Sequence, residues 1–241
     1  MIGEGPGCVS TIEHLMAAFA GLGIDNALVT IDGPEVPILD GSALPFVEAL
    51  DAAGIAEIDA PRRRIRVLRT IEVERGEAYA RLDPAPRGFH LDIGIDFANP
   101  AIGRQELSLS LTPETFRREV AFARTFGFLK DVEALWRMGY ALGSSFENTV
   151  VIAGEEVASP GGLRDPREFV RHKALDAVGD LALSGLPLVG AYRSRRGGHA
   201  LNAAILDALF ADPANYDIIG EARRIPWTPR AVRGVASAAA T

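Results

Sequence analysis

The chain has one cysteine, Cys8, so no disulfide can close within it and no thiolate cluster can hold a metal. A reducing, cytoplasmic setting is expected. No run of roughly 18 apolar residues occurs, and the first residues lack a basic stretch followed by a long apolar one; neither stable membrane insertion nor a cleaved export signal is expected. Basic charge is in deficit, 25 Lys and Arg against 32 Asp and Glu for a net charge of -7, so the basic footprint of a nucleic-acid binder is missing and no nucleic-acid partner is expected. Histidine is scarce: His14, His90, His172 and His199 are the only four in 241 residues.

What is present is ample apolar content, 48% of residues, enough for a packed core. The most informative stretch is Glu168 to Leu183. At helical period His172, Asp176 and Asp180 fall at i, i+4 and i+8 on one face. From Ala174 to Leu183 every residue except Asp176, Gly179 and Asp180 is alanine, valine or leucine, so the helix is expected to be buried. Buried carboxylates are costly unless paired, hydrogen-bonded or bound to metal. Asp165 as cap, Pro166 at the first position and Glu168 closing a capping box mark its start.

A second helix is expected from Ser10 to Ala20, ended by Gly21 and Gly23. Glu13 either closes a capping box on Ser10 or is free for chemistry; His14 borders a run of apolar residues. His14, His172 and Asp176 together make a three-ligand set for zinc with the fourth position open, and the same set suits Fe(II). Beside it Glu13 could act as general base, and His199, oriented by Asp180, as the acid that protonates a leaving amine.

Elsewhere, Asn26–Ile31 reads as a buried strand, Leu44–Ala53 as a helix, and Pro61 with Arg62–Arg64 as a domain boundary. Alternating segments at 65–68, 71–74, 78–82, 89–97 and 105–111 predict half-buried strands of an antiparallel sheet. A helix to about Ala123, another over 129–138, strands at 149–152 and 188–192, a basic turn over 193–198 and a helix from His199 follow. Three segments are expected: a first α+β domain over 1–60, a second over 61–225 carrying the ligand helix, and a disordered tail over 226–241.

Ser-Thr-Ile-Glu-His-Leu-Met-Ala-Ala at 10–18, Gly-Leu-Gly-Ile-Asp-Asn at 21–26, Pro-Ile-Leu-Asp-Gly-Ser at 37–42, Arg-Thr-Phe-Gly-Phe at 124–128, Arg-His-Lys-Ala-Leu-Asp-Ala-Val-Gly-Asp-Leu at 171–181 and Gly-His-Ala-Leu-Asn at 198–202 resemble, in order, the UDP-3-O-acyl-N-acetylglucosamine deacetylase family. The resemblance implies a zinc amidohydrolase removing acetate from UDP-3-O-((R)-3-hydroxyacyl)-N-acetylglucosamine, the committed step of lipid A biosynthesis in Gram-negative bacteria. It implies an α+β two-layer sandwich of two similar domains, with antiparallel or mixed sheets packed against helices and the active site between the domains. A monomer acting on an acylated UDP-sugar is expected. Carried over, His14, His172 and Asp176 hold Zn2+, Glu13 is the base, and His199 with Asp180 the acid. Lys173 lies near the metal and Thr125 stabilises the oxyanion. Leu129, Val132, Phe146 and Val151 map to an acyl passage, Phe126 and Phe97 lie near the sugar nucleotide, and Arg196 is a partner for the diphosphate. Two departures stand out: the strands preceding the Ser10 segment in the family are absent, leaving the first domain N-terminally incomplete, and Asn99 stands where many relatives carry histidine. The alternative is a non-catalytic, truncated paralogue that binds a nucleotide sugar or a partner.

Overall fold

The computed structural model describes residues 1–3, 5–131, 143 and 145–220. The expected tail over 226–241, Val132 and most of the 129–138 segment lie outside these residues.

The alternating segments all become strands: β1 (Arg64–Val67), β2 (Ile71–Arg75), β3 (Ala78–Asp83), β4 (Phe89–Asp96) and β5 (Arg104–Ser110). Their inward residues, Ile65, Val67, Ile71, Ala80, Leu82, Leu91, Ile93, Ile95 and Leu107, are buried, as a period of two demands of a sheet with one packed face. β6 (Phe126–Phe128), β7 (Val150–Ala153) and β8 (Glu156–Val157) make a small separate sheet. β9 (Leu188–Arg195) and β10 (Tyr216–Ile219) join the first five in a seven-stranded sheet. That sheet is mixed. β9 runs parallel to β1 and then to β4 along one side, and antiparallel to β3 on the other.

β9 continues three residues past the expected end at Tyr192. Ser194 turns inward while Arg193 and Arg195 turn out onto Asp92, at 3.0 and 2.9 Å, so strand pairing on both sides extends through what reads in sequence as a basic turn. In contrast, Asn26–Ile31 forms no strand: Leu28 is 96% exposed, and among the described residues no strand runs beside it to pair its peptide groups.

The helices are α1 (Glu13–Leu22), α2 (Leu44–Ala53), α3 (Pro113–Glu119), α4 (Glu168–Leu181) and α5 (His199–Phe210). α4 packs on β4 and β5, α5 on β2 and β3, and α1 lies against α4. The result is the α+β arrangement of helices on sheets. Ala17, Ala18 and Leu22 of α1 and Val47 of α2 share one hydrophobic cluster with Leu175 and Val178 of α4 and with the sheet. α1 comes so close to α4 because position 179 is glycine: a Cβ there would lie 2.0 Å from the Glu13 carbonyl oxygen.

Candidate metal centre

α4 carries most of the site. Phe169, Val170, Ala174, Leu175, Ala177, Val178 and Leu181 bury it on nearly all sides, as its composition requires. His172 and Asp176 are 2% and 3% exposed, and α1 delivers His14, 3% exposed, to the same point. One ligand atom from each of the three lies within 4.8 Å of the others.

The hydrogen-bond pattern fixes what those atoms are. His172 Nδ1–H donates to the Ala123 carbonyl at 3.0 Å, so Nε2 carries the lone pair. That lone pair faces Asp176 Oδ1 at 3.3 Å, and His14 Nε2 faces the same oxygen at 3.9 Å. His14 Nδ1 is buried and has no hydrogen-bond partner among the described residues. Burial lowers the His172 pKa to about 4 and lowers that of His14 as well, so neither ring is charged near neutrality. Burial alone would push the Asp176 carboxyl up; the Lys173 ammonium hydrogen-bonded to it and the charged His199 nearby outweigh burial and hold the carboxyl well below the ordinary range. An ionised oxygen and two neutral nitrogen lone pairs converging in a buried space repel one another unless a cation lies among them. The donor set fits a dication with nitrogen and oxygen ligands.

Around this centre stand further ionisable groups. Glu13 opens α1 but does not cap it: Ser10 gives its N–H to the Pro34 carbonyl at 2.9 Å, the N-cap residue is Ile12, and Thr11 between them takes a left-handed φ of 55°. The capping-box alternative therefore fails, and the Glu13 carboxylate is left near the neutral His14 ring and within range of the Lys173 ammonium. Lys173 Nζ donates to Asp176 Oδ2 at 2.8 Å and sits 5.5 Å from the Phe126 ring centre. His199 Nδ1–H donates to Asp180 Oδ2 at 2.8 Å, which raises its pKa to about 9, and its Nε2 lies 4.0 Å from Asp176 Oδ2.

Glu168 is not a capping residue either. It is fully buried and accepts from the Arg124 and Arg164 backbone N–H groups at 3.0 and 2.6 Å and from Arg124 Nε at 2.9 Å. This pins the segment that presents the Ala123 carbonyl to His172 and places Thr125 alongside. Thr125 is tied further by its N–H to the Gly41 carbonyl at 2.7 Å, and Gly41 at φ 83° leaves no room for a side chain against Asn148. Nothing in the sequence pattern marked Glu168 as the partner of Arg124, since 44 residues separate them.

Phe126 stacks edge-on against Phe97 at 5.8 Å and Phe169 at 4.9 Å. Beyond it a cavity of about 530 Å³ is lined by Phe97, Phe128, Leu129 and Ile152, and also by Asn99 and Gly154, which are joined by a 2.7 Å bond from Asn99 Nδ2 to the Gly154 carbonyl. Val151 points to the opposite side of β7 and is buried, and Phe146 is 44% exposed; neither lines this cavity. The Arg196 guanidinium, suggested by the sequence as a partner for the diphosphate, is paired at the surface with Asp96 at 2.7 Å and with Glu77.

A buried two-histidine, one-aspartate set flanked by a free carboxylate and a carboxylate-bound histidine is what a metal-dependent hydrolase requires of its protein. The comparisons agree. Residues 2–211 match the model of the family described as UDP-3-O-acyl N-acetylglycosamine deacetylase, LpxC. The UDP-3-O-acyl-N-acetylglucosamine deacetylases of Brucella ovis, Brucella canis and Brucella melitensis biotype 2 are each 51% identical over 212 residues, spanning 88% of this chain and 74% of theirs. The chain belongs to this family, and the kinship supports deacetylation as its activity. Among the described residues no helix is long and apolar enough to cross a membrane.

Proposed function

We propose that the chain is a zinc-dependent amidohydrolase that cleaves the N-acetyl amide of UDP-3-O-((R)-3-hydroxyacyl)-N-acetylglucosamine, the committed step of lipid A biosynthesis, acting as a monomer in the cytoplasm of a Gram-negative bacterium. The observation that carries the reading is the unprotonated His172 Nε2 held 3.3 Å from the ionised Asp176 Oδ1, with His14 on the same oxygen. His14, His172 and Asp176 would hold Zn2+, and Fe2+ suits the same donors. When bound, the metal supplies Lewis-acid polarisation of the acetyl carbonyl.

The chain's own residues supply the rest. Glu13 takes the proton from the attacking water. The Thr125 hydroxyl and the Lys173 ammonium stabilise negative charge developing on the carbonyl oxygen. His199, charged near neutrality because Asp180 holds its Nδ1–H, gives a proton to the departing amine, so that water and amide become acetate and the free amino sugar. The apolar cavity beyond Phe126, with Phe97 and Leu129 on its wall, receives the hydroxyacyl chain. Intact base, acid and ligands in one place favour this over a purely binding role.

The test is elemental analysis of the purified chain beside His172→Ala, dialysed identically, followed by a deacetylation assay with Glu13→Ala as control. About one zinc per chain in the parent, lost in the variant, and turnover lost in Glu13→Ala are expected. A folded parent that holds no metal would overturn the reading.

A further inference from the structure

His199 is poorly held by packing. Its side chain is 54% exposed, and among the described residues its orientation rests on one side-chain hydrogen bond, to Asp180, which is only as fixed as the carboxylate receiving it. Asp180 has a second partner. Asn202, 3% exposed and three residues along α5 on the same helical face as His199, donates Nδ2–H to the same Oδ2 at 2.8 Å. A carboxylate only accepts, so the amide nitrogen must face Asp180 and the amide oxygen must face away. There the Tyr192 hydroxyl donates to Asn202 Oδ1 at 2.5 Å. Tyr192 is 1% exposed at the centre of β9, between β3 and β4, and burial keeps its hydroxyl protonated. Asn202 is thus fixed in its orientation, and behind it stands the buried middle of the sheet.

We propose that Asn202, locked by Tyr192, is a positioning residue for the proton donor: it holds the Asp180 carboxylate in the one orientation that turns His199 Nε2 toward the metal centre. Tyr192, Asn202, Asp180 and His199 form a continuous chain of directed hydrogen bonds from sheet to site. The assignment rests on the deacetylase reading with His199 as acid.

The zinc-loaded chain is compared with Asn202→Leu, Tyr192→Phe, His199→Ala and the Asn202→Leu/His199→Ala double variant. Asn202→Leu keeps volume and removes both hydrogen bonds; kcat is expected to fall roughly ten- to a hundred-fold, the span of a hydrogen bond to a charged group, with KM and zinc content unchanged. Added to His199→Ala it costs nothing further. An equal fall in both backgrounds would mean that Asn202 does not act through His199 and would refute the proposal. A second readout needs no turnover: the downfield imidazole N–H proton resonance of His199, assigned by its absence in His199→Ala, shifts or broadens in Asn202→Leu. An unchanged resonance overturns the proposal, whereas a parent with the expected resonance and no turnover overturns the deacetylase reading instead. If Asn202→Leu does not fold, Tyr192→Phe, which removes a single buried oxygen, carries the same comparisons with smaller changes of the same sign.

Discussion

Replacing Gly179 by alanine tests whether the α1–α4 approach sets the centre. The new Cβ would lie 2.0 Å from the Glu13 carbonyl oxygen, 2.8 Å from its carbon and 3.1 Å from Glu13 Cα. All three are main-chain atoms, so no side chain can swing aside. Ordinary contact is restored only when the helices part by roughly 1 Å or more. The displacement falls on the residue that carries the proposed base and on its neighbour His14, while Asp176 stays with α4. In an unhindered helix the same change would gain about 1 kcal/mol from propensity. Overpacking costs about 1–3 kcal/mol, so the net loss of stability is modest. Function is less forgiving, because constellations of this kind tolerate about 0.5 Å and a 1 Å misplacement costs on the order of a hundred-fold in rate. Thermal melts, zinc content after dialysis and kcat/KM should therefore separate: a small change in Tm, weakened metal retention and about a hundred-fold loss in kcat/KM. A Gly179→Ala chain as active and as metal-tight as the parent would refute the claim that this helix contact sets the centre.

Glu168→Ala leaves the Arg124 guanidinium buried without its carboxylate and should cost about 3–5 kcal/mol in denaturant unfolding, with Glu168→Gln milder because one acceptor oxygen remains. The two histidine shifts predict opposite pH limbs. The His199 pKa is raised from 6.5 to about 9, so its contribution to stability is complete below 6.5 and lost as pH rises through 9, and turnover that needs its proton falls over the same range. The His172 pKa is lowered from 6.5 to about 4, so its contribution is complete above 6.5 and lost as pH falls toward 4, with metal retention falling alongside; unfolding and zinc content measured against pH check both, and a flat response from 5 to 9 would contradict them. Leu28→Glu, at a 96% exposed position, should change stability by no more than about 0.5 kcal/mol, whereas a buried strand there would make it severely destabilising.

The helix Glu168–Leu181 was legible because two independent periodicities coincide in it, an apolar one that buries the helix and a His/Asp one that sets His172 and Asp176 on a single face. Strands β1 to β5 were legible for the same reason, their alternation being local. What sequence could not supply were contacts between distant segments. Glu168 looks like a capping carboxylate until Arg124 arrives from 44 residues away, and Arg193 and Arg195 look like a turn until β3 and β4 flank them and Asp92 receives their charge. Asn26–Ile31 shows the converse. Its composition suits a strand, but a strand exists only where another runs beside it.

The division of the Asp176 carboxylate explains how a lysine can sit beside the proposed metal ligands without spoiling the site. Lys173 follows His172 directly in sequence, yet one helical turn brings its ammonium onto Asp176 Oδ2 at 2.8 Å, leaving Oδ1 to the two histidine nitrogens. One oxygen is thus satisfied by a fixed cation while the other stays with the neutral lone pairs. Formal charges make the same point. Glu13, Asp176 and Asp180 set against Lys173 and a protonated His199 leave one net negative charge; a dication held by the proposed ligands would turn this to one net positive charge, a sign that would favour an anionic transition state. Without Lys173 the filled pocket would be neutral, and Asp176 would face the metal with its second oxygen buried and unsatisfied.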